Sequence, residues 1–370
     1  MSKKILLLLI AGAVVVIGAF LYFIIFRQKQ SPTIPTKPLQ ILKAPPSPEK
    51  IFDDKILFPI LSQNEQNLLY FSINDKKDLA FYQYSLNTKK EQKISLNMSV
   101  PDRVVWSPKR DKAILKVVYD KYVFEKTNSP FKDPALKDKE ETTWFYDFNT
   151  KRLSRLSLNI QNIAWLPNGD QIIYHFFDPQ KNINGIFAAR PDGSDWRKLT
   201  DIEFAEGIGL SPISNEEIFY YPILTEGGGN NIYKLDLKTK QIAELIKNQT
   251  AGQVIASPSN TKIIYQIFHE KDQKYTLGTM NMDGSKKKDL GIDTEINKLV
   301  LSEKDDFVIL ALREEGKATD TFYKINLETN QKQEIKYKSD TPIDAKNLML
   351  TKDGRTLYFT SDDYLYKMET

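Results

Sequence analysis

Reactive side chains are scarce in this chain of 370 residues, and their spacing limits the chemistry open to it. There is no cysteine, which removes thiol nucleophiles, thiolate metal sites and disulfides together. Imidazole chemistry has two residues to draw on, His175 in IIYHFF and His269 in IIYQIFHE. They lack the short spacing by which one element offers two nitrogens to a metal. The period of the surrounding residues makes both of them strand residues. The glycine-rich TEGGGNN at 225–231 lacks the Lys-Ser/Thr pair and the helix that a phosphate loop needs. The Asp-Gly pairs in PDGS and MDGS have a turn role, and the alternating acids of a calcium loop are missing. On these residues no catalytic group, metal site or cofactor is assigned, and the chain is expected not to be an enzyme.

The elements that carry these residues follow from composition and pattern. Aromatics are plentiful, with 18 Tyr, 20 Phe and 4 Trp, so most of the chain can bury a core. The formal charge of +4 is unevenly spread: residues 1–50 hold seven basic residues against Glu49, which leaves the remainder at −2. A folded part so close to neutral has no electrostatic footprint for nucleic acid.

Residues 1–4 form a short tail, and Ile5–Phe26 is 22 residues without a charge. As a helix this stretch spans about 33 Å, enough to cross a bilayer's hydrocarbon core. It is too long for the apolar region of a cleaved signal peptide, and its one small-x-small element, AGA at 11–13, lies inside the run. An uncleaved single-span anchor is therefore expected, with the N-terminus cytoplasmic and the large domain extracytoplasmic. Lys3 and Lys4 before the span and Arg27 and Lys29 after it give a weak charge bias, so that orientation rests on the short tail, the large cysteine-free domain and the repeat's family resemblance given below. Residues 27–50 read as a Pro-rich, semi-rigid linker, with six prolines between 31 and 50.

From residue 51 to 370 one unit recurs. A strand, a tight turn and a second strand appear seven times, anchored on Ser62, Ser107, Leu166, Ser211, Ser257, Ser302 and Thr351. The spacings are 45, 59, 45, 46, 45 and 49 residues. At the anchor a hydroxyl oxygen serves the turn, Pro108, Pro167, Pro212 and Pro258 preset φ, and Asn, Asp or Gly follows where φ turns positive. A second hairpin, such as YDFNTKRLSRLS at 146–157 or YKINLETNQKQEI at 323–335, ends each unit on a more polar strand. Four short strands per unit at a period near 45 predict an all-β, seven-bladed propeller of four-stranded blades. The last unit stops at Thr370 after three strands. An edge strand is therefore missing, and LQILK in the linker, with Gln40–Lys43 as its strand, is expected to add to the seventh blade and close the ring.

LPNGDQIIY with PDGSDWRKLT, SPSNTKIIY with MDGS, and TKDGRTLYF resemble the TolB-type, WD-like propeller repeat across residues 55–370. Ser214-Asn215 and Asp305-Asp306 depart from its Asp-Gly turn, and Glu303 stands where it has proline. The resemblance implies the propeller fold and leaves function open, because such propellers serve as scaffolds, as partners of envelope proteins and as gates of peptidases. A peptidase of that kind adds an α/β-hydrolase domain with a Gly-x-Ser-x-Gly elbow, and this sequence has no such elbow.

Two loops exceed the repeat, one within 120–144 and one at TEGGGNN. Their Tyr122, Phe124, Phe131, Trp144, Glu226 and Asn230 are the candidate binding residues, since aromatics concentrate at interfaces. The expected function is a membrane-tethered extracytoplasmic propeller that binds a protein, a ligand or an envelope component as a scaffold module. The alternatives are a glycan- or peptide-processing enzyme using the propeller channel, and a sensor domain.

Overall fold

The computed structural model describes residues 45–73, 79–96, 98–120, 139–204, 207–223, 231–247, 251–269 and 274–370. Its described residues form seven four-stranded antiparallel sheets, as the repeat predicts. The first strand in the chain, β1 (Glu49–Lys50), belongs to the last blade. Blade 1 is β2 (Leu57–Leu61), β3 (Asn67–Ile73), β4 (Leu79–Ser85) and β5 (Glu91–Ser95). Blade 2 is β6 (Arg103–Trp106), β7 (Lys112–Asp120), β8 (Lys139–Asp147) and β9 (Arg152–Arg155). Blade 3 is β10 (Ile160–Trp165), β11 (Ile172–Asp178), β12 (Ile183–Ala189) and β13 (Arg197–Asp201). Blade 4 is β14 (Ile208–Pro212), β15 (Glu217–Pro222), β16 (Ile232–Asp236) and β17 (Ile242–Ile246). Blade 5 is β18 (Ala251–Ala256), β19 (Lys262–His269), β20 (Lys274–Asn281) and β21 (Lys288–Asp289). Blade 6 is β22 (Leu299–Leu301), β23 (Phe307–Leu312), β24 (Thr321–Asn326) and β25 (Lys332–Ile335), entered through a 3-10 turn at Ile296–Lys298. Blade 7 has β26 (Lys346–Leu350), β27 (Thr356–Ser361) and β28 (Tyr364–Glu369), with β1 on its outer edge.

First strands of adjacent blades approach one another around the axis, as β6 and β10, β10 and β14, or β26 and β2 do. Second strands lie between two neighbouring blades and are buried on both faces. TLYFTS and EIFYYP, each almost wholly buried, are examples. Outermost strands such as EQKIS and KQEI face water and are polar. The core is divided into seven clusters, and each joins one blade to the next. Phe71 and Phe81 of blade 1 meet Leu115 of blade 2, and so on round to Leu68 and Tyr70 of blade 1 against Tyr358 and Leu365 of blade 7.

The turn chemistry expected at the anchors is present in five blades. The hydroxyls of Ser62, Ser107, Ser257, Ser302 and Thr351 each accept the backbone N–H five residues on, at 2.9–3.1 Å. The third residue after the anchor takes positive φ, at Glu65, Arg110, Gly169, Asn260, Asp305 and Gly354. Blade 4 differs. There Ser211 and Pro212 are still strand, and the chain reverses at Ser214, whose hydroxyl accepts the N–H groups of Glu216 and Glu217 at 3.1 and 3.0 Å. Pro212 is tolerated because β14 is the free inner edge of its sheet, where a lost N–H breaks no ladder.

Adjacent turns are stapled to one another. Asp305 of blade 6 reaches into the turn of blade 5, where the hydroxyls of Ser257 and Thr261 donate to its carboxylate at 2.5 and 2.7 Å and that of Ser259 also donates. Asn215 accepts the N–H of Asn168 at 2.9 Å, and Glu65 accepts that of Lys352 at 2.7 Å, so blades 4 and 1 do the same to their neighbours.

Ring closure uses the N-terminal segment, but not the stretch expected. The outer position of blade 7 is held by Glu49 and Lys50, paired with Lys367 and Tyr366, while Gln40–Lys43 lie outside the described residues. The segment reaches further than one blade. Pro46 and Ser47 bond to the backbone of Lys338, between blades 6 and 7, at 3.1 and 2.9 Å. Lys50 Nζ sits 3.7 Å from the Tyr364 ring centre, and Phe52 packs on Tyr70 and Tyr84 of blade 1. Ile56 is buried in the cluster joining blades 7 and 1.

Two outcomes follow from these contacts. Truncation before residue 45 is expected to leave the thermal midpoint in place, whereas truncation before residue 57 opens blade 7 and lowers it sharply. Phe52→Ala alone costs about 2 kcal/mol in denaturant unfolding. For Asp305, burial alone would raise the carboxyl pKa, but the three hydroxyl donors outweigh it and hold it below the ordinary value. A depressed folded pKa stabilises above the unfolded pKa near 4 and is lost as pH falls through the folded value. Asp305→Asn, which tolerates the positive φ, is therefore expected to cost about 1–2 kcal/mol at pH 7, with the difference shrinking below about pH 4 in parallel unfolding titrations.

Candidate functional site

The antiparallel order puts all first-to-second and third-to-fourth strand turns at one end of the ring. Second-to-third loops and blade-to-blade connections lie at the other, the loop end. First strands border the central channel, and a cavity of about 800 Å³ lies toward its loop end. Its wall comes from blades 2 to 6: Arg103 on β6, Asn162 on β10, Gly209 on β14, Gln253 on β18, and Glu295 and Asn297 ahead of β22. Tyr221, Gln266 and Tyr275 reach it from strands further out.

Two side chains of this wall are fixed by neighbouring blades. Asn162 Oδ1 accepts from Arg103 Nη1 at 3.1 Å, and its amide donates to the Ile208 carbonyl at 2.7 Å, so one carboxamide ties blades 2, 3 and 4 together. Deeper in, Trp165 Nε1 donates to the Val105 carbonyl at 2.9 Å and Trp106 Nε1 to that of Phe58 at 3.1 Å. By contrast, the side chains of Gln253, Glu295 and Asn297 make no hydrogen bond to a described residue and face the cavity or solvent.

Gly209 decides where the Tyr221 ring lies. The two residues are paired across β14 and β15, and a Cβ on Gly209 would come within 2.2–2.5 Å of the ring. Only glycine lets that ring lie across the inner strand. Burial pushes the Tyr221 phenol pKa up, so it is a neutral hydroxyl.

A second polar group lies at the loop end between blades 6 and 7. Asp320 is fully buried and accepts from Arg313 Nε at 2.6 Å, Lys298 Nζ at 2.9 Å and the Ala345 N–H at 2.9 Å. Asp344 takes Lys298 at 2.6 Å and Arg313 and Lys346 at 3.2 Å. Lys298 and its neighbours hold the Asp344 carboxyl below its usual pKa. These charges satisfy one another and tie two blades; they are not aimed at the cavity.

Both histidines lie on second strands. His175 is buried, its Nε2 is 2.7 Å from Asn184 Oδ1, and burial lowers its pKa, so it is neutral. His269 Nε2 is 2.7 Å from the Thr276 hydroxyl. Among the described residues no three His, Asp or Glu side chains converge as metal ligands.

Of the six candidate binding residues, Tyr122, Phe124, Phe131, Glu226 and Asn230 lie outside the described residues. Trp144 falls inside strand β8 rather than in the preceding loop. It packs with the core between blades 1 and 2, and its Nε1 donates to Thr142 Oγ1 at 3.1 Å. The cavity residues form no local motif because they are dispersed over five blades, yet the sequence carries a signal for them. Arg103, Asn162 and Gln253 each stand four residues before their anchors Ser107, Leu166 and Ser257. The same phase holds Lys298 and Asn347 before Ser302 and Thr351.

No protein-family model and no curated protein matches the chain. Solved structures do. An oligogalacturonate lyase in complex with manganese is 10% identical, with a TM-score of 0.60 over 88% of this chain and 96% of its own. A prolyl endopeptidase is 14% identical, with a TM-score of 0.59 over 87% of this chain and 51% of its own. A putative TolB from Agrobacterium tumefaciens is 11% identical, covers 78% and 97%, and at a TM-score of 0.45 supports no conclusion. Identities this low show a shared propeller fold. They also correct the expectation that the chain is not an enzyme. The lyase is matched over nearly its whole length, so an enzyme can be built on this fold without a large appended catalytic domain.

Gly209→Ala is expected to displace the Tyr221 ring and cost about 1–3 kcal/mol in chemical denaturation. Adding Tyr221→Ala removes the clash, so the double variant should lose clearly less than the sum of the two singles.

Proposed function

We propose that this chain is a membrane-tethered, extracytoplasmic propeller whose loop end binds a protein or an envelope component. One observation carries the binding end. Of the eight exposed large apolar residues among those described, six lie at the loop end: Ile73, Val100, Val118, Leu158, Ile223 and Tyr275. The other two, Trp196 and Ile242, sit near the third-to-fourth strand turns. The six stand singly on blades 1 to 5, and it is their shared end of the ring that favours that end for a partner. The cavity is lined at the same end by Arg103, Asn162, Gln253 and Asn297.

The tether rests on the sequence. Ile5–Phe26 is uncharged and of spanning length, and the Pro-rich stretch after it suits a spacer. It lies outside the described residues, among which no helix is long and apolar enough to cross a membrane.

Both parts are open to direct measurement. The full chain is expected to stay in the membrane fraction through alkaline extraction, with the propeller cut by protease added to cells whose outer layers have been opened. A chain lacking residues 1–26 should be recovered in the soluble fraction. A photo-cross-linking residue in place of Leu158 or Val100 should capture a defined envelope partner in intact cells, while one in place of Trp196 should not. Equal capture from both ends of the ring would remove the assignment of the loop end.

A further inference from the structure

The free groups of the cavity point to a class of ligand. This step rests on the reading of the loop end as the binding end and concerns the cavity, whose mouth shares Ile223 and Tyr275 with the apolar rim. We propose that the channel mouth binds an uncharged oligosaccharide.

Charge is the first argument. Arg103 supplies one cation to the wall, and one of its guanidinium nitrogens is engaged by Asn162. Glu295 supplies one carboxylate, which has no partner among the described residues. An acidic chain would meet this carboxylate without any surplus of positive charge to offset it. A cationic chain would meet Arg103 with no surplus of negative charge. The wall is balanced, and it favours a ligand with no net charge.

Hydrogen-bonding type is the second. Gln253 and Asn297 present carboxamides with no partner among the described residues, and Gln266 adds a third whose Oε1 accepts the Gln253 N–H at 3.3 Å. A carboxamide offers donors and an acceptor side by side. A pair of adjacent sugar hydroxyls offers the same mixture and can meet both at once. Buried ligand groups of this kind are specified by a few such contacts rather than by charge.

Shape is the third. The cavity, at about 800 Å³, is in the range that holds a ligand of several rings. Tyr275, 43% exposed at the mouth, offers aromatic surface to the C–H face of a pyranose ring, while Tyr221, buried across Gly209, lines the wall without presenting an open face.

The test is calorimetric titration of the full-length chain in detergent with cellohexaose, chitohexaose and maltohexaose. An oligogalacturonate of matched length and an uncharged hexapeptide serve as the competing classes. At least one neutral sugar is expected to bind, with affinity unchanged between about 50 and 200 mM salt. The Gln253→Ala/Asn297→Ala double variant should weaken it by about tenfold or more. Glu295→Gln should change it much less, because its charge is not part of the recognition. A circular-dichroism melt of each variant checks that the ring is intact.

Four results would overturn the proposal: no neutral sugar bound at about 10 mM, tighter binding of the galacturonate, tighter binding of the peptide, or neutral binding that the double variant leaves unchanged. Cross-linking of a protein partner at Leu158 together with any of these would leave the loop end standing as a docking surface and remove the sugar site alone.

Discussion

Each blade is too thin to hold a core of its own, so every apolar cluster belongs to two blades at once. Ile163 and Trp165 of blade 3 are buried only because Ile114 and Phe145 of blade 2 cover them, and the same dependence runs round the ring. A sheet that must be covered on both sides reads as nearly continuous apolar sequence in its middle strands, which is what FVILAL and IIYHFFD show. The polar outermost strands and the free inner edges are the other side of the same constraint. Whatever the channel does, it does with side chains on strands whose opposite edges are already committed to that packing.

The consequences for reading the sequence are uneven. The repeat was legible because turn chemistry is local: a hydroxyl, a position suited to positive φ and a short apolar run recur within a dozen residues. Blade 4 shows the limit of that reasoning. Ser211-Pro212 looks like the other anchors, but a proline at a free edge can stay in the strand, and Ser214 takes over the turn. Ring closure was legible as a need for a partner and not as an address. Glu49 and Lys50 carry no strand signature, and their place is set by Phe52, Ile56 and Lys50 finding surfaces on blades 1 and 7. Loop aromatics drew attention because they stand out in a line of text. Trp144 proved to be a strand residue packed in a core, while the cavity was built from ordinary carboxamides dozens of residues apart.

The two ends of the ring are chemically different for a structural reason. The turn end is occupied by its own staples, where Asp305, Asn215 and Glu65 each spend a side chain on the next turn. At the loop end, ion pairs engage Lys298, Arg313, Asp320 and Asp344 of blades 6 and 7, but the side chains of Gln253, Glu295 and Asn297 have no hydrogen-bond partner among the described residues. The places where the fold's own demands stop lie on one arc of the channel.

The pairing of Glu49 with Lys367 joins residues more than three hundred positions apart. A chain made from its N-terminus has β1 in hand almost at once and must wait for nearly the whole of its length before β28 exists. Until then Leu68 and Tyr70 of blade 1 have no blade 7 to cover them, however well the intervening blades have formed. Each hairpin can form early from near neighbours, but the ring is completed in a single late step with a large loop-closure cost. Until β28 is made, the apolar faces of blades 1 and 7 that close the ring are therefore left uncovered.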